Sequence, residues 1–253
     1  MANSTIYESF TLPSKGMIYS KPVDPDFTIR SMTTMEEMAR QSQSDTPYKQ
    51  MSDIIEDCLG KKFSIPVYNL CLGDYQFLLH KLRIVTYGKD YKISLTCPNC
   101  KKFVTAVGDL NTMDVKEYDE STYLDAVNIV LPENKDRIEL KIQTPKDLDD
   151  IAFKNREHQK KLKTNVNFGL LYTLISLISK VNGQVLNPIT LEEYCKKLNM
   201  KDVNFIITSA NKLNNLIGFT DDLIAKCKEC EYEVVVPFRQ TSEFWGPTAD
   251  ISD

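Results

Sequence analysis

Cys97-Pro98-Asn99-Cys100 and Cys227-Lys228-Glu229-Cys230 are the two stretches whose reading decides the fold. Each Cys-x-x-Cys leads into a strand-like run, residues 101–107 after the first and 232–238 after the second. A tight turn carrying two thiolates is a knuckle, and two knuckles supply the four ligands of a tetrahedral all-cysteine site. A redox Cys-x-x-Cys is expected once, opening a helix, not twice before strands. The pattern therefore points to one structural Zn2+ held by Cys97, Cys100, Cys227 and Cys230. That metal would join parts of the chain 130 residues apart. Such a clamp suits a protein that assembles rather than one that catalyses.

The other three cysteines, Cys58, Cys71 and Cys195, stand alone in apolar or helical segments and read as small buried hydrophobes. With 253 residues, 42% hydrophobic and 26% charged, the chain has enough apolar material for one large domain or two smaller ones. Its net charge of −4 argues against a general nucleic-acid binder, which needs a basic field. The first ten residues are polar, without the pattern of a secretion signal, and the longest apolar stretch, 168–181, is interrupted and too short for a bilayer. The expectation is a protein that folds in the cytoplasm, away from membranes.

Working outward from the knuckles, the same landmarks recur in the same order. Leu12-Pro13, a strand near 27–32 and Thr34 with Glu37 match Leu131-Pro132, a strand near 137–142 and Thr144 with Asp147. A threonine followed three residues later by an acid suits a capped helix start. Apolar helices then run to Gly60 and to Gly183. Further helices open on Asp74 and Asp202, each with apolar residues at spacings of three and four, and each precedes its knuckle. The predicted fold class is α+β: two pseudo-repeated helix-plus-strand halves joined by a four-cysteine, zinc-ribbon-like knuckle pair. The halves, 1–110 and 123–238, flank a linker at 111–122, precede a tail at 239–253, and are expected to face each other about a pseudo-twofold axis. The second half is longer mainly through residues 153–167 and a capped helix at 188–198.

No catalytic constellation stands out. His80 and His158 have no acid or nucleophile in a triad pattern, and there is no Walker loop, Gly-rich dinucleotide turn or His-Glu-x-x-His. Asp147, Asp149 and Asp150 read as helix-start charges. The basic run at 154–163 reads as a solvated helix face, with an acidic partner as the alternative. Phe244 and Trp245 follow the last strand in a loop-like segment. They either tuck onto the chain's own core or dock on a partner, and tryptophan's enrichment at interface centres makes them the candidate partner-binding residues.

Leu12-Pro13-Ser14-Lys15-Gly16-Met17-Ile18-Tyr19, then Ile29-Arg30-Ser31-Met32-Thr33-Thr34, Leu82-Arg83 with Thr86-Tyr87-Gly88, and Cys97-Pro98-Asn99-Cys100 together resemble the T-even-type bacteriophage baseplate hub subunit and hub-assembly family. The resemblance is strongest over 10–110 and continues through Cys227–Cys230 and Phe244-Trp245-Gly246-Pro247. It implies a non-enzymatic component of a contractile-tail baseplate, acting in the host cytoplasm during assembly or within the virion tail. Its partners would be other phage baseplate or tail proteins, with no small-molecule substrate. The reading from another class is a zinc-ribbon nucleic-acid-binding module, which the acidic balance and the lack of interleaved basic and aromatic residues oppose.

Overall fold

The computed structural model describes residues 6–220, 222–238 and 242–245. In chain order, β1 (Glu8–Thr11) and β2 (Asp26–Ile29) pair antiparallel, followed by helices α1 (Thr34–Gln41), α2 (Pro47–Cys58) and α3 (Leu72–Tyr87). A hairpin, β3 (Asp90–Thr96) and β4 (Phe103–Asp109), completes the first half. β5 (Val115–Lys116) leads to α4 (Glu120–Val127), β6 (Asn128–Val130) and β7 (Arg137–Leu140). Then come α5 (Pro145–Leu162), α6 (Gly169–Leu177), β8 (Ile178–Val181), α7 (Pro188–Lys197), α8 (Met200–Asn214) and β9 (Gly218–Phe219). The last hairpin is β10 (Asp222–Cys227) and β11 (Glu233–Pro237), with a 3-10 turn at Ser242–Trp245.

Two apolar cores result. The first gathers Leu12, Phe27, Ile55, Leu78 and Leu82, and the second Leu131, Ile138, Leu140, Leu174 and Ile206. The first core also takes Leu223, Phe238, Phe244 and Trp245 from the far end of the chain. The base of the last hairpin thus packs on the first core.

The helix starts differ from the expectation in an informative way. The N-caps are Cys71 for α3 and Asn199 for α8, so Asp74 and Asp202 lie inside the first turns. Both are fully buried. Asp74 accepts the Ser14 N–H at 2.9 Å, the Ser14 hydroxyl and the Tyr19 hydroxyl at 2.5 Å. Asp202 accepts the N–H groups of Glu133 at 2.9 Å and Asn134 at 3.1 Å. Each carboxylate therefore ties the turn that follows a Leu-Pro to a distant helix, because a buried carboxylate needs donors. Asp149 also serves a helix start, but that of α2: it accepts from Lys49 N–H at 2.9 Å and from the Tyr68 hydroxyl at 3.0 Å.

Other boundaries shift for reasons of pairing. The apolar stretch predicted as one helix to Gly183 stops at Leu177, since Ile178–Val181 pair with β7 and build a three-stranded sheet. The first capping box uses Thr33 with Glu36, one residue earlier than expected, whereas Thr144 with Asp147 is as read. Residues 111–122 are more than a linker, because Val115 and Lys116 pair with Phe219 and Gly218. At that crossing a Cβ on Gly73 would lie 2.3 Å from the Ile217 carbonyl oxygen. Glycine is required there for the backbones of α3 and the β9 approach to touch.

His80 is wholly buried, its Nε2 donating to the Leu110 carbonyl at 2.9 Å and its ring 4.0 Å from that of Phe219. Burial first, then the charges of Lys81 and Arg83, push its pKa down to about 4 against the pull of the Leu110 carbonyl. The folded chain therefore keeps His80 neutral at pH values where the unfolded chain protonates it, near 6.5. Stability from this residue is whole above pH 6.5 and is lost as pH falls from 6.5 to about 4, by about 3 kcal/mol in all. Denaturant melts across that range should show the slope, and His80→Gln should flatten it. Gly73→Ala should lower stability by more than about 1 kcal/mol, because backbone must move to admit the methyl group.

Candidate metal centre

The two knuckles are the turns of two hairpins, so a strand precedes each Cys-x-x-Cys as well as following it. The hairpins join in one antiparallel sheet of order β3-β4-β10-β11, through Gly108, Val107 and Ala106 opposite Ala225, Lys226 and Cys227. Alternating strand direction brings both turns out at the same end of the sheet. The expected twofold arrangement does not hold for this sheet. The second strand of the first hairpin pairs with the first strand of the second, so the hairpins follow one another head to tail.

Locally the turns match atom for atom. Cys97 N–H donates to Lys102 O at 2.9 Å and Lys101 N–H to Cys97 O at 3.0 Å. Cys227 N–H donates to Tyr232 O at 3.0 Å and Glu231 N–H to Cys227 O at 2.9 Å. Lys101 and Glu231, each just after the second cysteine, are left-handed at φ 60 and 58. A non-glycine residue pays roughly 1–2 kcal/mol in that region, and both knuckles carry that cost at the same position of the turn.

All four sulfurs lie within 4.8 Å of one another. Cys97 Sγ is 3.7 Å from Cys230 Sγ, and Cys100 Sγ is 4.0 Å from Cys227 Sγ. These spacings are far beyond the roughly 2.0 Å of a disulfide. They fit tetrahedral coordination, where metal–sulfur bonds of about 2.3 Å set sulfurs about 3.8 Å apart. Cys97 and Cys227 are buried with Val104 and Leu95, while Cys100 and Cys230 are partly exposed. The Cys230 thiol is drawn down to about 6, first by the Tyr232 N–H and then by the Asn99 amide, 3.5 Å from its sulfur. Cys100 sits at about 11: the Lys102 N–H favours its thiolate, but burial and the other three sulfurs outweigh it. Four thiols this close share their protons, and only a bound cation lets all four ionise together. The donor set is compatible with a metal ion, and the chain spans 130 residues between its two pairs of ligands.

The other candidates do not join this site. His158 stacks on Phe168 at 3.9 Å, and its Nδ1 is hydrogen-bonded to the Tyr172 hydroxyl at 2.7 Å. Phe244 is fully buried and Trp245 is 8% exposed. Phe244 packs among His80, Tyr91 and Phe238, and Arg40 lies over the Trp245 ring. Of the two readings of these aromatics, the chain's own core is where their side chains lie, because His80, Tyr91 and Phe238 already form a pocket for them. Sequence reasoning missed Arg83, a buried guanidinium that donates to the carbonyls of Phe244 at 3.2 Å, Asp90 at 3.2 Å and Gly88. Its signals were a charge within an apolar helical stripe and a place in the Leu82-Arg83 motif, neither of which showed that it would be buried.

The model of the T4 bacteriophage base plate protein family matches residues 5–245. The chain belongs to that family. No curated protein and no solved structure matches it. The match runs through both hairpins and reaches Trp245, so the cysteine cluster and the buried aromatics both lie inside the part that defines a T4-type baseplate protein. Membership makes it a phage baseplate component with other baseplate proteins as neighbours. Among the described residues no helix is long and apolar enough to cross a membrane.

Purified baseplate protein should carry one metal ion per chain. Thiolates bind metal and thiols do not, so acidification should release it, and a chromogenic chelator should record the release as pH falls. Cys97→Ser should lower the melting temperature by several degrees and abolish stoichiometric metal. Phe244→Ala should cost about 3–5 kcal/mol in denaturant unfolding, the range for a buried phenylalanine, with metal content unchanged.

Proposed function

We propose that this baseplate protein is a non-enzymatic structural or assembly component of the baseplate hub, at the end of the tail tube, acting through protein–protein contacts. The observation that carries this reading is the convergence of four thiols from hairpins 130 residues apart, inside a chain of the baseplate family. The metal at Cys97, Cys100, Cys227 and Cys230 is Zn2+, since an all-thiolate tetrahedral set suits zinc, and it leaves no position open for substrate. The site is then a clamp rather than a reaction centre.

Two pseudo-repeated halves, 1–110 and 123–238, make up the proposed scaffold, with 111–122 between them and 239–253 as a tail. Two matched features support the duplication. Asp74 and Asp202 each hold the turn after a Leu-Pro, and the two knuckles share their hydrogen bonds and their left-handed residue. The protein would act in the host cytoplasm while the baseplate is built. The zinc-ribbon nucleic-acid reading is disfavoured because Lys101, Lys102 and Lys228 at the two knuckles are offset by Glu229 and Glu231, leaving a surplus of one positive charge, with Lys102 paired to Glu229 at 2.8 Å. A basic field at the ribbon ends is therefore lacking.

Complementation of a phage lacking this protein tests the reading. Wild type should restore baseplates, while Cys97→Ser/Cys227→Ser should yield incomplete hubs by electron microscopy and no viable particles. If the double variant supports normal baseplates, the clamp has no assembly role. Elemental analysis should identify zinc, and mass spectrometry of purified virions should decide between a retained component and an assembly factor. Tight duplex-DNA binding at low salt would favour the nucleic-acid module instead.

A further inference from the structure

Helix α5 is 18 residues long, but its buried residues, Pro145 and Asp149, both lie in its first turns. Residues 153–162 therefore extend the helix without adding a buried side chain to either core. Helix formation alone does not hold such an extension in water, where most stability comes from packing. A dedicated set of contacts with the start of α6 keeps it ordered. Asn155 accepts the Phe168 N–H at 2.8 Å, Gln159 donates to Val166 O at 2.9 Å, and His158 stacks on Phe168 and bonds Tyr172.

The face opposite those contacts is open. Helical spacing sets Phe153, Glu157 and Lys160 in one stripe flanked by Lys154 and Lys161. All five are exposed, Phe153 by 53%. Residues 154–163 hold five cationic side chains and one carboxylate, a surplus of four positive charges. The whole chain is −4, so the remainder is −8. The charges are thus segregated: a rigid basic tip with an apolar residue stands on an otherwise acidic protein.

The complementary surface lies on the same chain. Residues 114–125 expose five carboxylates, Asp114, Glu117, Asp119, Glu120 and Asp125, against one cation, Lys116, around Val115 and Leu124, which are 39% and 55% exposed. Only Glu117 of these carboxylates is in an ion pair, with Lys15 at 2.7 Å, among the described residues. α4 packs on α8, whereas α5 packs on α2 and α6. We infer that the α5–α6 tip docks on the 114–125 surface of a second copy of this chain, Phe153 against Leu124 with lysines over carboxylates. Such a contact pairs two different patches: repeated head to tail it closes into a ring or extends as a chain of subunits, and exchanged reciprocally it closes a twofold dimer.

Sedimentation equilibrium of the full chain over a concentration series tests this. At low salt the weight-average mass should rise with concentration, and the apparent association constant should fall at least tenfold in high salt. Lys154→Glu/Lys160→Glu/Lys161→Glu and Glu120→Lys/Asp125→Lys should each remain monomeric while melting like wild type. An equimolar mixture of the two should associate again, because each reversed patch then meets its reversed complement. Phe153→Ser, a surface change that leaves the helix intact, should weaken association in the same assay. A wild-type chain that stays monomeric at every concentration overturns the inference, as does association that survives both reversals or a mixture that stays monomeric. Binding of the tip to duplex DNA or to anionic phosphatidylserine vesicles by a monomeric wild-type chain would overturn it in favour of those surfaces.

Discussion

Joining two hairpins that begin far apart in the chain is the constraint on which the rest of this baseplate protein depends. Closing a loop of 130 residues costs on the order of 4–5 kcal/mol of chain entropy. Only three residue pairs connect β4 to β10, and each backbone hydrogen bond nets about 1 kcal/mol. Ladder bonds alone therefore do not comfortably hold the seam. Four thiolates on one metal contribute on the order of 10–16 kcal/mol in small zinc peptides, well above that cost. A metal ion, with which the four clustered sulfurs are compatible, would decide the balance at that end of the sheet.

The far end of the same sheet is secured by different chemistry. Leu223, Phe238 and Phe244 enter the first core, and Arg83 gathers the carbonyls of Gly88, Asp90 and Phe244 around one buried charge. That guanidinium faces carbonyl dipoles and aromatic rings, with no carboxylate in ion-pair contact among the described residues, so removing any carbonyl would leave a costly buried charge. The second hairpin thus brings two thiols to the cysteine cluster at one end and packs into the first core at the other.

Contacts between elements of the two cores follow the same economy of buried polar groups. Asp149 of α5 completes the start of α2, and Leu72 N–H of α3 donates to Gln143 O at 2.9 Å. Each bond satisfies a donor that the local helix geometry leaves orphaned. The result is a seam made of specific hydrogen bonds and one glycine crossing, leaving the helical hairpin tip of α5 and α6 free of core duties.

Much of this was legible in the residues themselves. The spacing Cys-x-x-Cys, twice, determined the thiol cluster, because so short a turn has few ways to present two sulfurs. Leu12-Pro13 and Leu131-Pro132, the Thr144–Asp147 box and the apolar stripes of α3 and α8 determined the local elements for similar reasons of short-range geometry. Three features depended on partners distant in sequence. Ile178–Val181 reads as the end of a helix until β7 lies beside it. Asp74 and Asp202 read as caps until the Leu-Pro turns supply their donors. The head-to-tail order of the hairpins, and the burial of Phe244 and Trp245, came only with the tertiary structure. Strand neighbours and the lining of an apolar pocket are set by which surfaces meet, and no local pattern encodes that.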